Sequence, residues 1–186
     1  MKKLSVSLKE SRFVDLINKK FTGEIRKEDM IGNLQKLKPV DIGTSVLWAD
    51  DDLCVDDKYL FTFDDVTNML KDSKWRLPTV SEVEELKDFE KDFRDGECIF
   101  TNNGTSLTFY GHGEIFVLPS GKTFQEPNNN DDTVSVYGWT NDVSKFDNNY
   151  ISIYLMDPSL FIVKKSNVIY KNSLLSARLV KDKKDK

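Results

Sequence analysis

The side chains with the clearest capacity for chemistry are oxygen donors in the second half of the sequence. They are carboxylates and carboxamides in two short stretches: Glu126, Asn128, Asp131, Asp132, Asn141 and Asp142. Calcium binds about six to eight oxygen atoms, which carboxylates and amide carbonyls provide. The composition therefore suits a calcium site. These residue types are equally typical of an exposed hairpin loop, and we favour that interpretation.

A second acidic stretch covers residues 50–52 and continues with Asp56 and Asp57. Charge runs of this kind are typical of solvated surfaces, so we predict a loop here rather than an ion site. His112, the single histidine, lies between two glycines and has no nucleophile close to it in the sequence. This setting favours a histidine in a turn over a catalytic one.

Motifs of enzymes and of cofactor sites are absent from the sequence. Cys54 and Cys98 belong to no CxxC motif and do not neighbour His112, so neither zinc binding nor thiol chemistry is predicted. The sequence also lacks a phosphate-binding glycine loop, a G-x-S-x-G turn and an H-E-x-x-H helix. We predict that the protein is not an enzyme and that, apart from the calcium alternative, it needs no cofactor.

The composition is that of a globular protein and argues against two classes of partner. Of the 186 residues, 39% are hydrophobic and 11% are aromatic, and the net charge is −4. Nucleic-acid binders usually carry a basic excess, so we expect no nucleic-acid partner. No apolar stretch reaches the ~20 residues of a membrane span. Charged residues interrupt the first 15 positions, which argues against a signal peptide and for synthesis in the cytosol.

Residues 1–38 are predicted to form a helical segment in front of the main domain. Ser7 and Glu10 have the spacing of a capping box, and the apolar residues that follow share one helix face: Phe13, Leu16, Ile17 and Phe21. A shorter helix is predicted from about Lys27 to Leu37. An apolar stripe on a short terminal segment has to be covered. The segment is therefore either packed on the core or used for anchoring and oligomerisation.

The most informative local motif is a turn from an extended segment into a helix. It consists of Trp75, Arg76, Leu77, Pro78 and Thr79, with Glu82 three residues later. Pro78 restricts the preceding residue to extended backbone, Thr79 can cap a helix, and Glu82 can complete a capping box. The next apolar residues follow at helical spacing, which gives the predicted helix one apolar face: Val83, Leu86 and Phe89.

Short strands dominate the sequence after residue 93. Turn residues such as Asn103-Gly104 and Pro119-Ser120-Gly121 separate the candidates. The predicted strands are 97–101, 107–110, 114–118, 134–139, 150–155, 160–163, 167–170 and 174–180. An earlier strand is predicted at 45–49, and Thr62 can cap a short helix. Helices followed by antiparallel strands predict an α+β fold rather than a wound parallel sheet.

Four segments occur in the order found in bacterial FISUMP-type major paralogous domains. They are Val40–Ala49 (VDIGTSVLWA), Trp75–Glu82, Tyr137–Thr140 (YGWT) and Ser176–Lys181. Over about residues 40–182 the chain resembles this family. The resemblance implies a C-type-lectin-like fold, in which two helices lie beside a small, twisted antiparallel sheet with long loops at one end. We therefore expect a C-type-lectin-like domain at 39–182, preceded by the helical extension and followed by a charged tail at 183–186.

The sequence departs from the family pattern at Val83, at Leu179 and at Thr140-Asn141, and we interpret these departures as repacking. The segments at 126–128 and 139–142 are similar to the two calcium- and sugar-binding motifs of animal C-type lectins. In those lectins the tryptophan motif comes just before the last strands, whereas three or four strands are predicted after Trp139. This register argues against a calcium site.

The remaining conspicuous side chains are given structural roles. Trp48, Trp75 and Trp139 are predicted to lie in the core, because large aromatic residues dominate burial in small domains. Arg178 is predicted to pair with Glu82 or Glu85, since a partly buried guanidinium needs a compensating carboxylate.

Two functions fit these observations. The first is a non-catalytic structural or binding module of a larger assembly, such as a bacteriophage virion, by analogy with lectin-like display scaffolds. In this case the N-terminal helices would contact other protein subunits, and the loops would contact a glycan or a host surface protein. The alternative is a stand-alone bacterial carbohydrate- or protein-binding domain.

Overall fold

A computed structural model describes residues 27–94, 97–125, 135–144, 147–157, 162–165 and 169–183. Strands account for 48% of this part of the chain and helices for 17%, with three short α-helices and four small antiparallel sheets. The predicted fold class is therefore wrong. The described residues form a mostly β structure, not an α+β, C-type-lectin-like domain with two helices beside one sheet and an N-terminal helical extension.

The helix after Thr79 shows why the prediction failed. It covers only Val80–Glu84 and continues as a single 3₁₀ turn over Glu85–Asp88. Phe89, which extended the apolar stripe in the sequence, has extended backbone with φ −80° and ψ 159°. The chain then enters a strand that pairs with the next one, Glu90 opposite Thr101. Pairing with a neighbouring strand thus outweighed a helical periodicity that only three residues supported.

The helices are α1 (Lys27–Lys36), α2 (Phe63–Leu70) and α3 (Val80–Glu84). The strands, in chain order from β1 to β12, are Pro39–Val40, Val46–Asp52, Glu90–Arg94, Glu97–Asn102, Thr105–Tyr110, Ile115–Val117, Thr123–Gln125, Val136–Val143, Tyr150–Asp157, Ile162–Lys165, Ile169–Tyr170 and Arg178–Asp182. Of these, β1, β3 and β7 were not predicted from the sequence.

Four antiparallel sheets organise the strands. One sheet has the order β1-β2-β12, and a second has the order β3-β4-β5. In the third, β9 pairs with β8, β10 and β11, and the fourth is the two-stranded hairpin β6-β7. Residues 174–176 form isolated bridges to two of these sheets, Leu174 with Ile115 of β6 and Ser176 with Gly138 of β8.

The helix caps and the tight turn that the sequence predicts are present in the structure. Thr62 and Thr79 are the N-caps of α2 and α3, and each forms a complete capping box with an acidic residue three positions later. Asn103 and Gly104 form the two-residue turn between β4 and β5, with φ values of 49° and 78°. Positive φ at both central positions is the geometry that Asn-Gly favours in a tight hairpin.

The core consists of two clusters, both of which receive residues from β2. Ala49 belongs to the first cluster, which also contains Trp75 and Trp139, and Trp48 belongs to the second. All three tryptophans are buried, as predicted. The Nε1–H group of Trp139 donates to the Phe61 carbonyl at 2.8 Å. A core tryptophan thus keeps its polar group hydrogen-bonded.

The predicted N-terminal segment is only partly described. The helix predicted over 27–37 is present as α1, whereas the capping box at Ser7 and the apolar stripe from Phe13 to Phe21 lie outside the described residues. Leu34 of α1 is buried in the first core cluster. A truncation that spares the core must therefore end before α1.

Candidate functional site

The largest concentration of buried charge in the described residues centres on Arg178. Its side chain is fully buried, and its Nε–H donates to Asp52 Oδ1 at 2.8 Å. Its terminal nitrogens donate to the carbonyl oxygens of Ala49, at 3.0 Å, and Thr108. The guanidinium also lies over the ring of Phe109, 4.9 Å from the centroid. Arg178 therefore links β2, β5 and β12.

Asp52 also contacts the imidazole ring of His112. Its Oδ2 lies 3.0 Å from Nε2 of His112, so both carboxylate oxygens are occupied. Burial alone would raise the pKa of Asp52, but the nearby Arg178 and His112 more than offset this and lower it. Asp52 therefore stays ionised in the interior because two donors compensate its charge.

His112 lies in the loop that connects β5 with β6. Its ring stacks on Tyr59, with centroids 4.4 Å apart and an interplanar angle of 15°. We predicted a histidine in a turn, but residues 111–114 form an irregular loop without a turn, and Asp52 is a partner that the sequence did not indicate. An imidazole bound to a carboxylate through one nitrogen is held in a fixed orientation, as in catalytic His–Asp pairs.

Glu114 completes this group of residues. It is 1% exposed, and the backbone N–H of His112 approaches its Oε1 at 3.4 Å. Burial raises the pKa of Glu114 to about 7, and the charge of Asp52 adds to the increase, while backbone hydrogen bonds and His112 oppose it. We call Asp52, His112, Glu114 and Arg178 the buried ionic cluster.

The strand register brings the cluster together. Arg178 at the start of β12 lies opposite Asp52 at the end of β2, so the two side chains form a cross-strand pair. The predicted acidic loop at 50–52 is wrong, because these residues belong to β2 and Asp52 is buried. Period-two alternation from Val46 and Trp48 places both Asp50 and Asp52 on the inward side, yet only Asp52 is buried, so alternation alone does not identify it. Its partner 126 positions later could not have been identified locally.

The pairing predicted for Arg178 is also wrong. It pairs with a carboxylate, but with Asp52 rather than Glu82 or Glu85. Glu85 instead accepts from the backbone and hydroxyl groups of Ser45, each at 2.6 Å. The prediction failed because Glu82 is already used by an arginine in its own motif.

That arginine is Arg76. Its terminal nitrogens donate to both carboxylate oxygens of Glu82, at 2.9 and 2.7 Å, and also to Asp182 at 2.7 Å. Glu82 simultaneously accepts from the Thr79 N–H at 2.7 Å. Burial opposes ionisation of Glu82, yet hydrogen bonds from Arg76 and Thr79 lower its pKa. Trp75 and Leu77 lie in the core and Pro78 is buried, so the motif supports the fold.

The predicted ligand-binding residues are only partly described. Glu126, Asn128, Asp131 and Asp132 lie outside the described residues. Asp142 caps α3, since its Oδ2 accepts from the Val80 N–H at 2.6 Å, and the Asn141 N–H donates to the Pro78 carbonyl at 2.8 Å. Within the described ranges, no group of three or more potential metal ligands is present. The calcium alternative stays a prediction.

Among the described residues, the two most exposed large apolar side chains lie on the β6–β7 hairpin. Leu118 is 50% exposed and Phe124 is 55% exposed. Phe116 pairs with Phe124 across the hairpin, with ring centroids 6.1 Å apart. Pro119 and Gly121 form its turn, in which the Gly121 N–H donates to the Leu118 carbonyl and Gly121 has φ 78°. This geometry fits a three-residue turn with a glycine bulge.

Comparisons of the chain with protein families, with curated proteins and with solved structures found no match. The resemblance to FISUMP-type domains stays a prediction. Among the helices that the structure describes, none combines the length and apolar character needed to span a membrane.

Proposed function

We propose that this protein is a non-catalytic module of a multi-subunit assembly, in which two copies associate through the outer edge of β7. The observation that carries this proposal is that β7, which pairs only with β6 among the described residues, contains no proline or charge and has an exposed aromatic residue, Phe124. The earlier expectations of a virion location, of a host or glycan target and of a stand-alone binding domain stay predictions.

The buried ionic cluster supports a non-catalytic role. The guanidinium of Arg178 and the carboxylate of Asp52 are used in hydrogen bonds that connect strands. Because these two groups are already hydrogen-bonded inside the protein, they stabilise the arrangement of the sheets and are poorly placed to act on a substrate.

The edge of β7 differs in composition from the sheet edges formed by β1, β3 and β10. β1 begins with Pro39, β3 has four charged residues among its five, and β10 contains two lysines. Proline and charge, lysine above all, are the usual protection of an edge strand against pairing with another chain. β7 consists of Thr123, Phe124 and Gln125 and contains neither proline nor charge. In the described part of the chain, β7 pairs only with β6.

The ladder of the hairpin fixes which groups face outward. The Leu118 N–H donates to the Lys122 carbonyl, so Phe116 and Phe124 form the next hydrogen-bonded pair. Thr123 and Gln125 then direct their backbone groups away from β6. Two β7 strands related by a two-fold axis at Phe124 would pair Thr123 of one copy with Gln125 of the other. No like charges meet within the paired strands, and the two Phe124 rings become cross-strand neighbours.

The test is sedimentation of the full chain over a wide concentration range. Two three-residue strands bury much less than the ~1,600 Å² of a typical stable complex, so we expect a weak, concentration-dependent dimer. Phe124→Lys places a charge on the two-fold axis and should weaken dimerisation at least about tenfold. Val143→Lys is the matched control, because Val143 is 44% exposed but lies on β8.

A wild-type chain that remains monomeric at millimolar concentration would refute the proposal. Equal dimerisation of wild type, Phe124→Lys and Val143→Lys would show that copies associate elsewhere, which also refutes it. Removal of residues 1–26, which leaves Leu34 in the core, then tests the predicted N-terminal contact separately.

A further inference from the structure

The segment from Gly111 to Ile115 contains one buried carboxyl group, which lies between two attachments to the body of the protein. His112 contacts Asp52 and stacks on Tyr59. Ile115 exchanges two backbone hydrogen bonds with Leu174, at 2.9 and 2.7 Å. Between these two attachments lies Glu114, which is 1% exposed.

We propose that Gly111–Ile115 is a pH-sensitive strap, which opens more readily once the carboxyl group of Glu114 has lost its proton. Opening carries Glu114 into water and releases His112 from Asp52. This inference does not depend on self-association through β7.

The charges around Glu114 explain why its ionised form is unfavourable in the closed strap. Five ionisable groups lie on the elements packed around Glu114: Asp52 on β2, Tyr110 on β5, the adjacent His112, Tyr154 on β9 and Arg178 on β12. A sixth, Tyr59, stacks on the ring of His112. The positive charge of Arg178 is already bound to Asp52. A second carboxylate beside Asp52 would therefore have no guanidinium left to compensate its charge in the interior, which is costly.

The backbone allows a local rearrangement at the ends of the strap. Gly113 has φ 72°, a conformation that glycine adopts without strain, and Gly111 marks the point where the chain leaves β5. Residues 111–114 lie between β5 and β6, and Ile115 is the first residue of β6. Opening at these glycines exposes Glu114 and breaks the two hydrogen bonds between Ile115 and Leu174, while the ladder of β5 stays intact.

The direction of the pH effect follows from the raised pKa of about 7 for Glu114 in the folded protein, compared with an ordinary value of 4.5. The closed strap favours the protonated acid, so its stabilisation is fully present below 4.5 and is lost as the pH rises towards 7. The difference between these two pKa values corresponds to a rise of roughly 300-fold in the opening constant, the equilibrium ratio of open to closed strap. Above the folded pKa the constant reaches a plateau.

The test is amide hydrogen exchange of the full chain, corrected for intrinsic exchange rates, under conditions in which exchange reports the opening equilibrium. The reporters are the amides of His112, which donates to Glu114, and of Ile115, which donates to Leu174. In the wild type the opening constant should rise by about two orders of magnitude between pH 4.5 and 7. Glu114→Gln mimics the protonated acid and should remove this rise. The control Glu90→Gln alters an exposed glutamate on β3 and should retain it.

An opening constant that stays flat over this pH range in the wild type would overturn the proposal. A rise that persists unchanged in Glu114→Gln would also overturn it, because another group would then be responsible. If Glu114→Gln does not fold, a carbon-13 titration of the wild-type glutamate carboxyls decides the matter. A carboxyl that titrates near 7 supports the strap, whereas titration of every glutamate near its ordinary value of 4.5 refutes it.

Discussion

Removal of the charge of Asp52 should destabilise the protein strongly. Asp52→Asn retains the size of the side chain but leaves Arg178, which is fully buried, without its carboxylate partner. Breaking a buried ion pair by changing one partner typically costs about 3–5 kcal/mol. For a protein of this size, 1 kcal/mol corresponds to about 2–4 °C, so the melting temperature should fall by about 6–20 °C.

Urea denaturation at pH 7 measures this cost directly, provided that the unfolding is two-state. Asp64→Asn is the control, since Asp64 pairs with Lys171 at 2.8 Å but is more than half exposed. Exposed pairs contribute about 0–1 kcal/mol, so this variant should unfold almost as the wild type does. A cost below about 1 kcal/mol for Asp52→Asn would refute the assignment of Asp52 as the main partner of Arg178.

The same variant should alter the acid stability. The pKa of Asp52 is lowered in the folded protein, so its contribution to stability is present above the ordinary value of 3.8 and is lost as the pH falls through the folded value. The difference in unfolding free energy between the wild type and Asp52→Asn should therefore shrink below pH 3.8. A difference that stays constant into strong acid would show that the lost interaction is not the ionised carboxylate.

Two further predictions concern α3 and the β8–β9 pair, and urea denaturation measures both. Thr79→Ala should cost about 1 kcal/mol because it removes the cap of α3, whereas Thr79→Ser should retain most of the stability. Tyr154→Phe should be neutral or stabilise by up to about 1–3 kcal/mol, because the Tyr154 hydroxyl is buried with no hydrogen-bond partner in the described structure. Gly138→Ala should destabilise, since the added Cβ would overlap the Tyr154 ring, and a stable Gly138→Ala would contradict this packing.

Local features of the structure could be predicted from the sequence because their partners lie within a few residues. The caps at Thr62 and Thr79 and the turn at Asn103-Gly104 depend on side chains and backbone no more than three positions away. Most strands were also located, because alternating burial leaves a signal in each strand separately. β7 was missed because three residues, all exposed, leave no such alternation.

The fold class and the buried ionic cluster could not be predicted in the same way. Both depend on contacts between residues that are far apart in the chain, such as Asp52 with Arg178 and His112 with Asp52. An acidic residue after a strand has the same local pattern whether it is solvated or buried. Only the pairing of β2 with β12 distinguishes the two cases, and the sequence contains no local signal for that pairing.

The buried pair of Asp52 and Arg178 is better explained by specificity of strand pairing than by stability alone. Replacing buried ion pairs by apolar residues of similar volume is often neutral or stabilising. Here the pair lies directly across β2 and β12, next to an irregularity in the ladder between Arg178 and Val180. A one-residue slip of β12 would turn Arg178 to the other face of the sheet and leave Asp52 buried without its guanidinium partner, so the pair penalises the wrong register. We therefore expect the double variant Asp52→Leu/Arg178→Met to lose less unfolding free energy than the two single variants lose together. The double variant should nevertheless weaken the protection of the β12 amides against hydrogen exchange.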